Sequence, residues 1–270
     1  MSTEAWNPAS VGISEAGTED MLRLINDEEQ KVADIVRDCI PQIALLVEEG
    51  TKAVSSGHRI IYVGAGTSGR LAIADAAECP PTYGISPECF TAVISGGHEA
   101  VFRAAEGAED SREAGAAAFY ENNCVKEDFI IGISVSGQAP YVVAFMEEAK
   151  KAGCMVAALV NNEGSPMTKV ADLVVVADTG AEVIKGSTRM KGGTSQKMIL
   201  NMFSTAVCIK LGCTYKNYMV NMKPTNSKLK RRSVAMVQEI TGVSPEEAVK
   251  MLDDSEWSVR HAVEGFFKNN

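Results

Sequence analysis

Three short segments carry glycines and hydroxyls in patterns that could seat an anion. The first is Gly64-Ala65-Gly66-Thr67-Ser68-Gly69-Arg70, directly after the apolar run Arg59–Val63. The second is Ser134-Val135-Ser136-Gly137-Gln138, and the third runs from Lys185 through Gly186-Ser187-Thr188-Arg189-Met190-Lys191 to Thr194. A helix N-terminus offers unbonded N–H groups and a positive dipole end, so with nearby hydroxyls it suits a phosphate monoester. The first segment also matches G-x-G-x-x-G, which opens a dinucleotide reading. That reading wants an acid at the end of the next strand, where this chain has Ile94-Ser95-Gly96-Gly97. A plain strand-to-helix turn is the bland alternative. No G-x-x-x-x-G-K-[ST] occurs, which argues against a P-loop nucleotidase. Lys185, Arg189 and Lys191 are either phosphate partners or solvated charges, and His98 either lines a pocket or sits at a turn.

Two kinds of carboxylate accompany these loops. Glu78 follows an apolar helical stretch and precedes Cys79-Pro80-Pro81; Glu106 and Glu109 lie in Ala104–Asp110. Acids in such runs are mostly solvated helix faces. Two carboxylates fixed beside a phosphate pocket would suit general acid and base work.

Strand and helix patterns must position these groups. Short apolar runs at 59–63, 91–95, 129–134, 155–160 and 173–177 read as buried strands. Helical patterns at 70–77, 100–120 (broken near Gly107), 141–152 and 194–211 separate or follow them. Alternation with continuously apolar strands predicts a parallel sheet covered on both faces. The three loops then fall at the carboxyl edge of the sheet, where open α/β sheets bind ligands. The expected class is α/β, in three parts: an N-terminal arm and helices over 1–57, with a break at Pro41; a domain over 58–226 that carries the three loops and suits a phosphorylated small ligand; and a small three-helix module over 227–270.

Composition narrows the field. The 270 residues are 46% hydrophobic and 23% charged, which excludes global disorder. A net charge of -9 argues against nucleic acid and anionic membrane as partners. The basic run Lys223, Lys228, Lys230, Arg231, Arg232 reads as a solvated helix face. No run approaches the ~20 apolar residues a membrane helix needs. The first residues, MSTEAWNPAS, lack the features of a secretory signal, so a cytoplasmic location is expected. Seven Cys without C-x-x-C and three scattered His argue for reduced thiols and against a zinc site, so no metal is expected.

Asn7-Pro8-Ala9-Ser10, Gly64–Arg70, Glu78-Cys79-Pro80-Pro81, Gly96-Gly97-His98, Glu106–Asp110, Ser136-Gly137, Pro140-Tyr141-Val142, Gly186–Lys191 and Gln196-Lys197 run in the order and spacing of the N-acetylmuramic acid 6-phosphate etherases. The chain resembles that family over nearly its whole length. The resemblance implies a sugar isomerase (SIS) fold related to the glucokinase regulatory protein, no cofactor, a homodimer and a role in recycling cell-wall amino sugars. It implies that D-lactate is removed from N-acetylmuramic acid 6-phosphate: the ring opens, a base takes the proton on carbon 2, lactate leaves carbon 3 and water adds. Aligned by motif, Glu78 is the proton donor to the ether and Glu109 the second catalytic acid, the base. Substrate-binding positions fall on Gly66, Thr67, Ser68, His98, Ser134, Ser136, Gly137, Ser187, Thr188, Arg189 and Lys191. The chain departs from the family pattern at Gln138-Ala139, where Arg-Thr is usual, at Ala181, where Pro is usual, and at Gly192-Gly193-Thr194-Ser195. The weighed alternatives are a non-catalytic phosphosugar-binding regulator, a sugar phosphate isomerase on the same fold and, more distantly, a dehydrogenase.

Overall fold

The computed structural model describes residues 1–269; Asn270, the last residue of the expected 227–270 module, lies outside them. The chain falls into two compact units. The first comprises Met1–Ala77 and Glu88–Ser204, the second Glu78–Pro87 and the chain from Thr205 onward.

In the first unit, an arm of three short 3-10 turns precedes α1 (Thr18–Gln30), α2 (Val32–Asp38) and α3 (Ile40–Ser55). The expected break at Pro41 is displaced. Pro41 lies in the first turn of α3, where its missing N–H costs nothing. The interruptions fall instead at Lys31 and Cys39, both near helical geometry. Then β1 (Ile60–Gly64) leads into α4 (Gly66–Tyr83), whose last six residues belong to the second unit. β2 (Phe90–Ile94), α5 (Glu99–Phe102), α6 (Arg112–Glu121), β3 (Phe129–Ser134), α7 (Pro140–Ala152), β4 (Met155–Val160), α8 (Pro166–Val170) and β5 (Leu173–Val176) complete the alternation, and α9 (Lys191–Lys210) follows.

The five strands form one parallel sheet in the order β2-β1-β3-β4-β5. Each central strand is buried on both faces, which is why its sequence is continuously apolar rather than alternating. Successive side chains still divide between the faces. Ile61, Val63, Ile130, Val156, Ala158 and Val160 pack with Phe119 of α6, Phe145 and Met146 of α7 and Met167 of α8. On the other face the aromatic rings of Tyr62, Phe90 and Phe129 each meet Phe203 of α9 at centroid distances of 6.3–6.4 Å.

The α6–α7 crossing depends on Gly115. A Cβ there would lie 2.1 Å from the Tyr141 carbonyl oxygen, a backbone atom that cannot step aside. Gly115→Ala gains about 1 kcal/mol of helix propensity. Overpacking against a rigid neighbour is worth more, about 1–3 kcal/mol in the opposite direction. The variant is expected to melt below the wild type; a melting temperature at or above wild type in a thermal scan would refute the close approach.

Helix α4 runs longer than its apolar pattern, beginning at Gly66 and continuing through Pro80 and Pro81. Proline removes an N–H and usually ends a helix. Here the last turn is closed by Gly84 N–H donating to the Pro80 carbonyl at 2.9 Å.

In the second unit, α10 (Ser227–Thr241), α11 (Pro245–Asp254) and α12 (Val259–Asn269) enclose a core of Met236, Val237, Ala248, Leu252, Val259 and Val263, joined by Val220 and Met222. Their ends follow capping rules. Asn226 Oδ1 accepts from Leu229 N and Ser244 Oγ from Glu247 N, and Gly242 ends α10 in the left-handed region.

Candidate functional site

At the carboxyl ends of the strands, two consecutive asparagines after β4 tie the three loops together. Asn161 N and Asn162 Nδ2 donate to the Val135 carbonyl of the second loop, at 3.0 and 2.9 Å. Asn161 Nδ2 donates to Ser195 Oγ at 2.8 Å, and Asn161 Oδ1 accepts from Gln196 Nε2 at 3.3 Å, both on α9. Gln196 Oε1 in turn accepts from Ser68 Oγ at 2.8 Å, at the start of α4. Every member is buried, and buried polar groups are stable only when paired. The network fixes the loops relative to one another.

The individual hydroxyls of the loops differ in burial and partners. Ser68 is buried and engaged with Gln196. In the second loop, Ser134 Oγ accepts from Gly137 N at 3.1 Å and Ser136 Oγ from Gln138 N at 3.2 Å, so each serine shapes the turn into α7. Ser136, Thr67, Ser187 and Thr188 are half-buried, and Gly66 is exposed. Arg189 and Lys185 are exposed.

Lys191 sits differently. Its side chain is 4% exposed, and its ammonium lies 2.7 Å from Glu28 of α1. Glu28 also pairs with Lys31 and accepts from Asn7 of the arm at 3.1 Å. Burial alone would raise the Glu28 carboxyl. The hydrogen bonds and charge of Lys191, with those of Lys31 and Asn7, overcome it and hold the group at about 2. On the other side, the buried carboxylate of Glu182 takes the N–H groups of Lys191 and Gly192 at 3.0 and 2.9 Å. It caps the N-terminus of α9 from outside the helix. Burial raises its carboxyl, and those two backbone bonds oppose the rise.

Glu109 stands on a 3-10 turn, Ala108–Asp110, entered by Gly107 in the left-handed region. Its side chain is exposed. A cavity of about 170 Å³ joins Glu109 and Glu106 to Gly66, Arg70 and Ser95, which brings the first loop beside this carboxylate. Gly96 makes the approach possible, because it carries no side chain. Its φ is +82°, and a Cβ there would lie 2.7 Å from the Cβ of Ala105. Arg70 secures the far side: its Nε donates to the Val101 carbonyl at 3.0 Å and Nη2 to the Arg103 carbonyl at 3.1 Å. His98 does not line this cavity. It is exposed, 5.3 Å from the Phe102 ring, and faces a neighbouring groove along β2. Glu78 lies exposed on the last turns of α4, in the second unit.

Residues 42–150 match the glucokinase regulatory protein N-terminal SIS domain, 108–206 the SIS domain, and 216–265 the C-terminal lid domain of glucokinase regulatory protein. The N-acetylmuramic acid 6-phosphate etherase of Clostridium beijerinckii is 42% identical, over 97% of this chain and 86% of its own. N-acetylmuramic acid 6-phosphate etherase 1 of Vibrio cholerae serotype O1 is 48% identical, over 91% and 82%. The Symbiobacterium thermophilum enzyme of the same name is 46% identical, over 97% and 87%. The chain belongs to the N-acetylmuramic acid 6-phosphate etherase family. Among solved structures, an E. coli CFT073 protein in complex with A5P superimposes with a TM-score of 0.54 at 20% identity, covering 74% of this chain and 95% of its own; that likeness is one of fold.

In this etherase-family chain several residues that build the site have no motif of their own. Asn161 and Asn162 carried one signal, a polar pair directly after a buried strand. Glu28 carried none, because its partner Lys191 lies far along the chain; Asn7 stood in a family-like segment, but nothing there named its partners Glu28 and Ala181. Asp75, on α4, accepts from Tyr62, Asn201 and Ser204 at 2.7–2.9 Å. Burial raises its carboxyl against those bonds. Among the described residues no His, Cys, Asp and Glu cluster could hold a metal ion, and no helix is long and apolar enough to cross a membrane.

Arg70 ties the end of α5 to the start of α4 through the Val101 and Arg103 carbonyls. Arg70→Lys keeps the charge and loses the two-carbonyl fork, because an ammonium on a flexible stem cannot reproduce planar donors. It is expected to lower kcat of the family reaction about 10-fold or more by loosening the wall of the cavity that Arg70 and Glu109 line, with KM changed less. Added guanidinium should partly restore turnover to Arg70→Ala. Equal loss in kcat and 1/KM without rescue would place Arg70 against the substrate instead.

Proposed function

We propose that this chain cleaves the D-lactyl ether of N-acetylmuramic acid 6-phosphate, yielding N-acetylglucosamine 6-phosphate and D-lactate. The observation that carries the reading is identity of 42–48% over nearly the whole chain to relatives bearing that enzyme's name. Glu109 serves as the base that takes the carbon 2 proton of the ring-opened sugar. Glu78 gives its proton to the ether oxygen as lactate leaves carbon 3; an alkoxide is a poor leaving group, so that protonation lowers the barrier. Water then adds to carbon 3, restoring the hydroxyl, and the ring recloses. The phosphate is held by Gly66, Thr67, Ser136, Gly137, Ser187, Thr188 and Arg189, supported by Ser68, Ser134 and Lys191. Remote anchoring of this kind turns binding energy into orientation at carbons 2 and 3. The working form is a cytoplasmic homodimer without cofactor, with 1–57, 58–226 and 227–270 as arm, sugar phosphate domain and helical module.

Support comes from the fixed geometry of the three loops and from the cavity that joins Gly66 to Glu109. The decisive assay incubates the protein with N-acetylmuramic acid 6-phosphate and follows free D-lactate and N-acetylglucosamine 6-phosphate together. Sugar phosphate binding by folded protein with neither product would overturn the catalytic reading in favour of a phosphosugar-binding regulator.

A further inference from the structure

The second unit holds a cavity that no step of the proposed reaction uses. It encloses about 600 Å³ between the segment before α10 and the α11–α12 corner, and its wall includes Lys223, Lys230, Arg260 and His261. Glu256 is the acid on that wall. In a chain of net charge -9, the three cations Lys223, Lys230 and Arg260 in one concave surface, the last also paired with Glu264 at 3.5 Å, draw anions.

The wall is also built to a geometry. Arg260 Nε donates to Asn221 Oδ1 at 2.6 Å, and a second nitrogen donates to the Gly212 carbonyl, so the guanidinium is held in place. Trp257 Nε1 donates to Asp253 Oδ1 at 2.9 Å, and the Lys230 ammonium sits 4.6 Å from the centre of the indole. Glu256 and Trp257 both adopt left-handed backbone, at φ +51° and +61°. For bulky residues that conformation is unfavourable and is maintained only where surrounding structure demands it. Here it brings the indole onto the wall of a basic cavity.

We propose that this cavity binds a phosphate monoester. Two lysines act as point charges on phosphate oxygens, and the indole face covers the carbon body behind them. The volume lies in the range of small-molecule sites. Phosphorylated sugar and inorganic phosphate share the recognising chemistry.

The chain has two Trp, so Trp6→Phe leaves Trp257 as the sole indole reporter. This variant is titrated with inorganic phosphate, with N-acetylglucosamine 6-phosphate and with unphosphorylated N-acetylglucosamine while Trp257 fluorescence is followed. A saturable change with the phosphorylated compounds is expected. Substituting Lys223→Gln and Lys230→Gln together should weaken it at least about tenfold, whereas Lys223→Arg with Lys230→Arg should keep it. Far-UV circular dichroism checks both pairs. If the Gln pair does not fold, Lys223→Gln alone, at an exposed position, gives the same test. Tighter binding of the sugar phosphate than of phosphate names the sugar as ligand; equal binding names the free anion. No saturable response, an equal response to N-acetylglucosamine, or wild-type affinity in the folded Gln variant would overturn the proposal. Binding is read without turnover, so the result stands apart from the lactate assay.

Discussion

Glu109→Gln is expected to lower D-lactate release by about 10²–10⁴-fold, the range that a positioned base contributes, with the melting temperature unchanged. The amide keeps the shape and loses the basicity. Glu109 is exposed on a surface turn, so the fold does not depend on its charge. Glu78→Gln is expected to lose lactate release to a similar degree, for a different reason. Without the acid, the ether oxygen departs unprotonated. The two roles separate in deuterated water. Glu78→Gln should still exchange the proton on carbon 2, because Glu109 remains; Glu109→Gln should lose exchange and release together. If both variants retained wild-type turnover, the assignment of both carboxylates would fail. If exchange vanished in Glu78→Gln and persisted in Glu109→Gln, the roles would be reversed.

The parallel sheet was legible in the sequence because each central strand is buried on both faces and therefore reads as an unbroken apolar run. Phe129–Ser134 and Met155–Val160 fall within the bounds their composition implies. The three loops were legible for a related reason: glycine and hydroxyl residues at strand ends are local signals. Helix α4 was not fully legible. Pro80 and Pro81 argue locally for an end, and only the structure around Glu78–Tyr83 overrides that preference. The same limit applies to Lys191. A lysine beside Gly-Ser-Thr-Arg reads as a phosphate partner, yet its ammonium is committed to Glu28. Nothing in the local sequence of either residue names the other. Arg70 is the converse case: its motif was visible, but its service to the Val101 and Arg103 carbonyls was not, because backbone acceptors leave no sequence trace. Motifs thus mark where candidate chemistry clusters, while which of their members serve as scaffold is decided by partners distant in the sequence.

The Glu28–Lys191 pair gives that distinction its largest measurable effect. The Lys191 and Glu28 side chains are 4% and 6% exposed. Burial of the two charges is tolerated because they are paired, with Lys31 bound to Glu28 as well. Glu28→Gln removes the direct partner of the buried ammonium, leaving it only the Coulomb attraction of Glu182, and is expected to destabilise the protein by about 3–5 kcal/mol, measured by urea unfolding at pH 7. The pH dependence fixes the cause. In the folded protein the Glu28 carboxyl lies at about 2, against 4.5 in the unfolded chain. Above pH 4.5 the group is ionised in both states and its contribution is complete. As pH falls through 4.5 towards 2, the unfolded chain takes up a proton that the folded chain refuses, and the contribution is lost. Wild type and Glu28→Gln should therefore differ most near neutrality and converge on acidification. A gap that stayed constant from pH 7 to pH 3 would show that packing, rather than charge, holds α1 to the start of α9. Because Lys191 opens α9 directly after Ser187-Thr188-Arg189-Met190, loosening the pair should also raise KM for the sugar phosphate in the fraction that remains folded. Direct phosphate contact by Lys191 would instead predict that Lys191→Met, which fills the site without a charge, leaves stability intact while abolishing binding; the ion pair predicts a variant limited first by its fold.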